Sequence, residues 1–375
     1  MKKRIFTIIV ISFVCLFNIY AQELPDRRKV LQTLISVNDY YMQKYPDPRT
    51  PTFVGKMRPS NIWTNAVYFE GLMALHQIYP LDRYYNYAFQ WAEYHKWGFN
   101  GGNTVRNADY QCAAQTYIDL YRMSPNPDKI RNTKICMDML VNTPQVDDWT
   151  WIDAIQMGAP VMAKLGKELN DSRYWEKMYE MYAYTRNTIA ETGLFNVKEG
   201  FWWRDADFMP PYKEPNGQNC YWSRGNGWVY AALAKMIQEI PVNEKHRAEY
   251  IADFKLMTEA LRKCQREDGF WNASLHDETN YGGKETTGTS LFVYGLAWGI
   301  NNNIIDRKTY LPVLLKAWNA LVEDTVHPNG FLGYVQGAGK EPKAHQPVMF
   351  DSQPNFDDFG TGCFLLGGSE VYKLK

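Results

Sequence analysis

The chain has 375 residues, with 41 basic against 41 acidic side chains, and aromatic residues make up 15%, including 13 Trp and 26 Tyr. Balanced charge argues against a nucleic-acid binder, which carries a basic excess. Aromatic faces stack on sugar rings and their polar tips hydrogen-bond, so this composition suits carbohydrate handling as well as it suits a plain aromatic core.

Met1-Lys2-Lys3-Arg4, the apolar run Ile5 to Phe17 and the small residue Ala21 read as an export signal over residues 1–21, leaving 22–375 as one domain. Losing Lys2, Lys3 and Arg4 leaves 38 basic against 41 acidic residues, net −3. No later stretch reaches the ~18 uninterrupted apolar residues of a membrane span, so a soluble mature protein of the bacterial periplasm is expected. Cys112, Cys136, Cys220, Cys264 and Cys363 are odd in number and scattered. They suggest neither a disulfide framework nor a zinc site, and no metal or cofactor is expected.

In chain order, apolar periodicity predicts helices over 26–44, 61–79, 81–96, 108–122, 128–141, 151–164, 172–189, 227–240, 244–265, 290–301, 307–322 and 363–372. About a dozen helices on short connections imply stacked helical hairpins. Gly193-Leu194-Phe195, Gly269-Phe270-Trp271 and Gly330-Phe331-Leu332 each place a glycine after a helix and before a short aromatic segment, a weak repeat at helix-pair spacing. Closing six pairs into a ring predicts an all-α (α/α)6 barrel. Phe195-Asn196-Val197 and Phe201-Trp202-Trp203 are expected to form a hairpin on its rim. Pro160 should kink the helix it sits in near Gln156, unless the helix ends there.

Two stretches carry candidate chemistry. Asp153 follows Trp149 and Trp151 in the first turn of a helix. Thr150 with Asp153 reads as a capping pair, while a carboxyl group pressed against indoles reads as a general acid with a raised pKa. Tyr221-Trp222-Ser223-Arg224-Gly225-Asn226-Gly227-Trp228 places an arginine at a glycine-flanked turn. Its planar fork suits a carboxylate and Trp228 suits a sugar ring, but a packed turn with a structural ion pair fits equally well.

Together with Glu285-Thr286-Thr287-Gly288-Thr289-Ser290 and Gly360-Thr361-Gly362-Cys363-Phe364-Leu365-Leu366 before Glu370, these motifs resemble, over nearly the whole mature chain, glycoside hydrolase family 105. That is the unsaturated rhamnogalacturonyl hydrolase type, related more distantly to the unsaturated glucuronyl hydrolases. The resemblance implies an (α/α)6 barrel with Asp153 as catalytic acid and base and Asp109, in Asn107-Ala108-Asp109-Tyr110, as the second essential aspartate. It implies substrate contacts at Arg224, Trp228, Trp222, Trp151 and, less surely, Trp63. Many members carry a histidine before the Trp-x-Arg-Gly-Asn element; residues 204–215 contain none, and Arg204 or Tyr212 is the expected replacement.

The implied substrate is an oligosaccharide ending in a 4,5-unsaturated uronic acid. Asp153 would protonate C4, water would add at C5, and the resulting hemiketal would open and release the aglycone. Asp109 would hold Asp153 in its protonated form by repulsion, or orient the water. A conventional inverting or retaining glycosidase and an exported glycan-binding protein are the competing readings.

Overall fold

Alternating helix faces set the architecture. The computed structural model describes residues 23–54 and 56–375, so the expected export signal lies outside the described residues. In chain order the helices are α1 (Arg27–Lys44), α2 (Trp63–Ile78), α3 (Asp82–Tyr94), α4 (Ala108–Gln111), α5 (Ala114–Met123), α6 (Asp128–Val141), α7 (Asp153–Leu169), α8 (Ser172–Asn187), α9 (Ser223–Glu239), α10 (Arg247–Cys264), α11 (Thr286–Asn301), α12 (Arg307–Thr325) and α13 (Asp358–Tyr372). Cys112 and Ala113 keep right-handed helical dihedrals, so α4 and α5 are two parts of one interrupted helix.

Helices α2, α4–α5, α7, α9, α11 and α13 pack side by side in that order, and α13 closes the ring on α2. The other six lie outside, one against each inner helix or its neighbour. This is the expected (α/α)6 barrel. The inner helices are inner because they have almost no polar face: Thr286 through Ile300 of α11 are all buried. Their glycines let backbones touch. A Cβ on Gly71 of α2 would run into the backbone of Gly362 in α13.

Three inner helices begin earlier than the periodicity predicts, at Ser223, Thr286 and Asp358. Ser223-Arg224-Gly225-Asn226-Gly227 and Gly360-Thr361-Gly362 look like turns locally, yet neighbouring helices need those small residues for close approach. Pro160 does not end α7, which runs on to Leu169. The carbonyl of Gln156, deprived of its partner by the proline, accepts a 2.8 Å hydrogen bond from the Gln115 side chain across the barrel.

The expected rim hairpin forms as β3 (Phe195–Asn196) against β4 (Phe201–Trp202). A second hairpin, β1 (Thr52–Val54) against β2 (Lys56–Arg58), was not expected. The repeat is better read with Gly200-Phe201-Trp202 in place of Gly193-Leu194-Phe195. Gly200, Gly269 and Gly330 all have positive φ and pack against backbone of the next outer helix, α10, α12 and α1 respectively.

All inner helices point the same way, so their N-termini meet at one end of the barrel. The long segments 45–62, 188–222 and 326–357 build the rim there, whereas 79–81 and 170–171 are tight turns at the other end. Near that other end Lys235 pairs with Glu70, Lys164 with Asp119 at 2.7 Å and Arg122 with Glu239 at 2.8 Å, around a small polar void of about 100 Å³.

Candidate active site

Trp63, Asp109, Asp153, Arg224 and Asp358 all sit in the first turns of inner helices, where unpaired N–H groups give a positive end to each helix. Such an assembly favours an anionic ligand. A cavity of about 660 Å³ opens at the starts of α2 and α4, lined by Arg58, Ile62, Trp63, Asp109, Tyr110 and Phe356 among others, while Asp153, Arg224 and Asp358 lie off its lining. Its size fits a small-molecule site. A groove of about 640 Å³ lies elsewhere, on the outside between the β3–β4 hairpin and α10.

Asp153 is 8% exposed. Neither it nor Thr150 caps α7: the N-cap is Ile152, without a side-chain bond. Its carboxylate instead accepts from Arg204 Nε at 3.0 Å. Arg204 is brought there by strand pairing, since Ile152 N donates to Arg204 O at 2.9 Å and Trp151 bridges Asp205. The other end of the guanidinium reaches Asp205 at 2.6 Å.

Asp109 lies on the cavity wall, positioned by Asn107, whose side chain accepts from Asp109 N at 2.9 Å. Burial and then the charge of Asp153 push its carboxyl up to about 7, against a smaller opposing effect of Arg204. The expectation put the retained proton on Asp153, with Asp109 as the repelling neighbour. Burial and the neighbouring charge raise Asp109 itself, which has no ion-pair partner among the described residues, while Arg204 bonds Asp153.

The tryptophans separate into two layers. Trp63 is half-buried and lines the cavity. Trp228 is fully buried and meets Trp63 edge-on, with centroids 6.3 Å apart, so it braces the cavity wall from behind. Trp222 is also buried, and its indole donates to Gln336 Oε1 at 2.9 Å. Trp151 is half-buried beside Asp205.

Arg224 is fully buried. Its guanidinium lies over Trp222 and Phe359, at 4.5 and 5.0 Å from the ring centroids, and donates to the carbonyls of Gln336 and Gly337 at 2.7 and 2.8 Å. The fork expected for a substrate carboxylate is thus occupied by backbone, and in this conformation it clamps segment 326–357 onto α9. Asn226 does the same for β4: it accepts from Trp202 N at 2.8 Å and donates to Trp202 O at 3.0 Å.

The sequence profile described as Glycosyl Hydrolase Family 88 matches residues 34–375. The chain belongs to that family. An unsaturated 3S-rhamnoglycuronyl hydrolase from Formosa agariphila is 39% identical over 229 residues, 60% of this chain and 58% of that relative. Among solved structures, a family 88 glycosyl hydrolase from Bacteroides vulgatus is 33% identical with a TM-score of 0.85, covering 94% of this chain and 100% of that one. A chain described as a polysaccharide lyase matches at 33% identity and TM-score 0.83, over 92% of this chain and 97% of its own. A possible family 105 member from Salmonella enterica, 20% identical with a TM-score of 0.74 over 94% and 95% of the two chains, shares the fold.

For this family 88 chain, the segment before the Trp-x-Arg-Gly-Asn element brings Arg204 to Asp153, whereas Tyr212 is 39% exposed and packs on Phe208. Two groups at the site were missed from sequence. Arg58 reaches the cavity from the unexpected β1–β2 hairpin; the Gly55 between two short β-prone runs was the available signal. Asp358, 4% exposed, opens α13, accepts from Thr64 Oγ1 at 2.8 Å and is pushed up to about 7 by burial. Placing the start of α13 at Cys363 hid it.

Proposed function

We propose that this chain removes a 4,5-unsaturated uronic acid from the non-reducing end of lyase-generated oligosaccharides, by hydrating the C4=C5 bond. The observation that carries this reading is the carboxyl pair at the helix N-termini: Asp109, pushed up to about 7 by burial and by the charge of Asp153, and Asp153, which is bonded to Arg204. Asp109 is thereby the carboxyl that holds a proton near neutral pH.

Arg204 is the cation beside that pair, and a uronate carboxylate bound one bond away from C5 competes with Asp153 for it. Losing its counter-charge, Asp153 takes the proton and delivers it to C4. Positive charge spreads over C5 and the ring oxygen. A water gives its proton to the resulting carboxylate and adds at C5, and the hemiketal then opens to a C5 ketone with loss of the aglycone from C1. The anomeric carbon is not attacked by a protein nucleophile. Trp63 offers the ring face for stacking. From the name of the Formosa relative, the following sugar is proposed to be rhamnose. From residues 1–21, export to the bacterial periplasm is proposed.

The lyase description of one neighbour supports a second reading, in which the same pair performs elimination and creates the double bond. One assay separates the readings. Incubation with an unsaturated uronyl disaccharide lowers the ultraviolet absorbance of the double bond if the chain is a hydrolase. Absorbance that rises on a saturated uronan means a lyase, and cleavage of saturated substrate without absorbance change means a conventional glycosidase. Binding without any of these leaves a glycan-binding barrel.

A further inference from the structure

We propose that Asp358 is a positioning residue for the sugar-stacking face of Trp63: through Thr64 it ties the first turn of α2 to the first turn of α13, and so sets how tightly substrate binds. This rests on the role given to Trp63 above.

Helix α2 begins at Trp63, and its N-cap, Ile62, makes no side-chain bond, so no cap holds that turn from within. The tether comes from the neighbouring helix. Thr64 Oγ1 donates to Asp358 Oδ2 at 2.8 Å, while Phe359 N donates to Asp358 Oδ1 at 2.7 Å. Phe359 in turn lays its ring 5.5 Å from that of Trp63. One carboxyl group therefore joins the backbone that carries Phe359 to the residue beside Trp63. Trp63 and Thr64 line the cavity and Asp358 does not, so Asp358 acts through them. Deeper in the barrel the backbones of Gly71 and Gly362 are in contact, which fixes the two helices independently of their ends. Asn65 donates to Ser60 O at 2.7 Å and accepts from Tyr41 Oη at 2.9 Å. Without Asp358 the helix thus stays in place, and it is the Trp63 side of its first turn that is released.

The carboxyl group is kept there at a cost. Asp358 is 4% exposed and has no cation partner among the described residues, Lys44 being paired with Asp357. Burial and then the charge of Asp357 push it up to about 7. Glu214, Asp277 and Glu285 are likewise buried without a cation among the described residues, but they serve their own surroundings. Glu214 bonds Ser274 and Asn280, Asp277 bonds Thr279 and Asn216, and Glu285 caps α11 at Thr287 N and Gly288 N. Asp358 differs in that its side-chain partner belongs to the cavity wall. Capping does not account for it either, because the N-cap of α13 is Asp357.

A double-mutant cycle with Trp63 tests this, read by calorimetric titration of an unsaturated uronyl disaccharide into proteins that all carry Asp153→Asn, so that binding is measured without turnover. Asp358→Ala and Thr64→Val are each expected to weaken Kd by about 10-fold, the range of a hydrogen bond to a charged group. Asp358→Asn keeps an acceptor for Thr64 Oγ1 and is expected to lose less than about 3-fold. On a Trp63→Ala background Asp358→Ala should cost less than about 2-fold more, since the face it positions is gone. A merely structural acid would give the same loss with and without Trp63, and that result overturns the proposal, as does unchanged binding in Asp358→Ala. Should Asp358→Ala fold poorly, Thr64→Val, which preserves the side-chain shape, carries the cycle with the same two outcomes. If Trp63→Ala by itself leaves Kd unchanged, the role of Trp63 fails and the proposal with it. Absence of turnover in the wild type refutes the hydrolase reading alone, because the cycle is read from binding.

Discussion

Asp109→Asn should make the protein more stable at high pH while removing activity. An aspartate whose folded-state pKa is raised from 3.8 to about 7 contributes stability that is fully present below about pH 4 and is lost as pH rises through 7. Roughly three pH units at about 1.36 kcal/mol each set an upper bound of about 4 kcal/mol. Water in the cavity reaches Asp109, so we expect about half of that, ~2 kcal/mol, at pH 8. Asparagine resembles the protonated acid and does not titrate. The variant and wild type should therefore have similar Tm at pH 4, and the variant should melt about 3 °C higher at pH 8, given an unfolding entropy of about 2.1 cal/mol/K per residue. Asp358 is raised in the same way but titrates in both proteins and cancels in the difference. Thermal melts at half-unit pH steps provide the assay. A Tm difference that does not change with pH, or one that favours the wild type at pH 8, would refute the argument that Asp109 is destabilised by burial and by Asp153.

Asp153→Asn should lower turnover of an unsaturated uronyl disaccharide by about 10²- to 10⁴-fold with the circular dichroism spectrum unchanged; near-wild-type rates in the folded variant would remove Asp153 from the chemistry. Arg204→Gln takes away the charge that opposes the upward shift of Asp109, so the Asp109 ionisation, read from the pH profile of kcat/KM, should move to higher pH; a downward move contradicts the placement. Arg224→Lys cannot donate in parallel to Gln336 and Gly337, and should cost about 2–3 kcal/mol in urea denaturation. An unchanged midpoint with a higher KM would instead return Arg224 to direct substrate contact.

Much of the barrel was legible because helix formation is local. Apolar periodicity located the outer helices within a few residues, and the aromatic Gly-Phe segments marked the pair spacing. What local pattern misread were the inner helix starts, since Gly225, Gly227 and Gly288 punctuate a sequence as turns but serve in the barrel as points of helix contact. That error carried Arg224 onto a supposed loop, when it belongs to a buried first turn whose partners lie 112 and 113 residues away. Asp109 and Asp153 could be chosen from sequence as site residues. Which of them is ion-paired could not, because the Arg204 that bonds Asp153 comes from 51 residues further on and arrives by pairing of two short extended segments. By itself, then, the sequence determined the class of element, the number of pairs and the candidate carboxyls, all of which depend on neighbours within a few turns of chain. The tertiary structure alone decided burial, ion pairing and the cavity, because desolvation and charge act through space, and only ring closure brings those groups together.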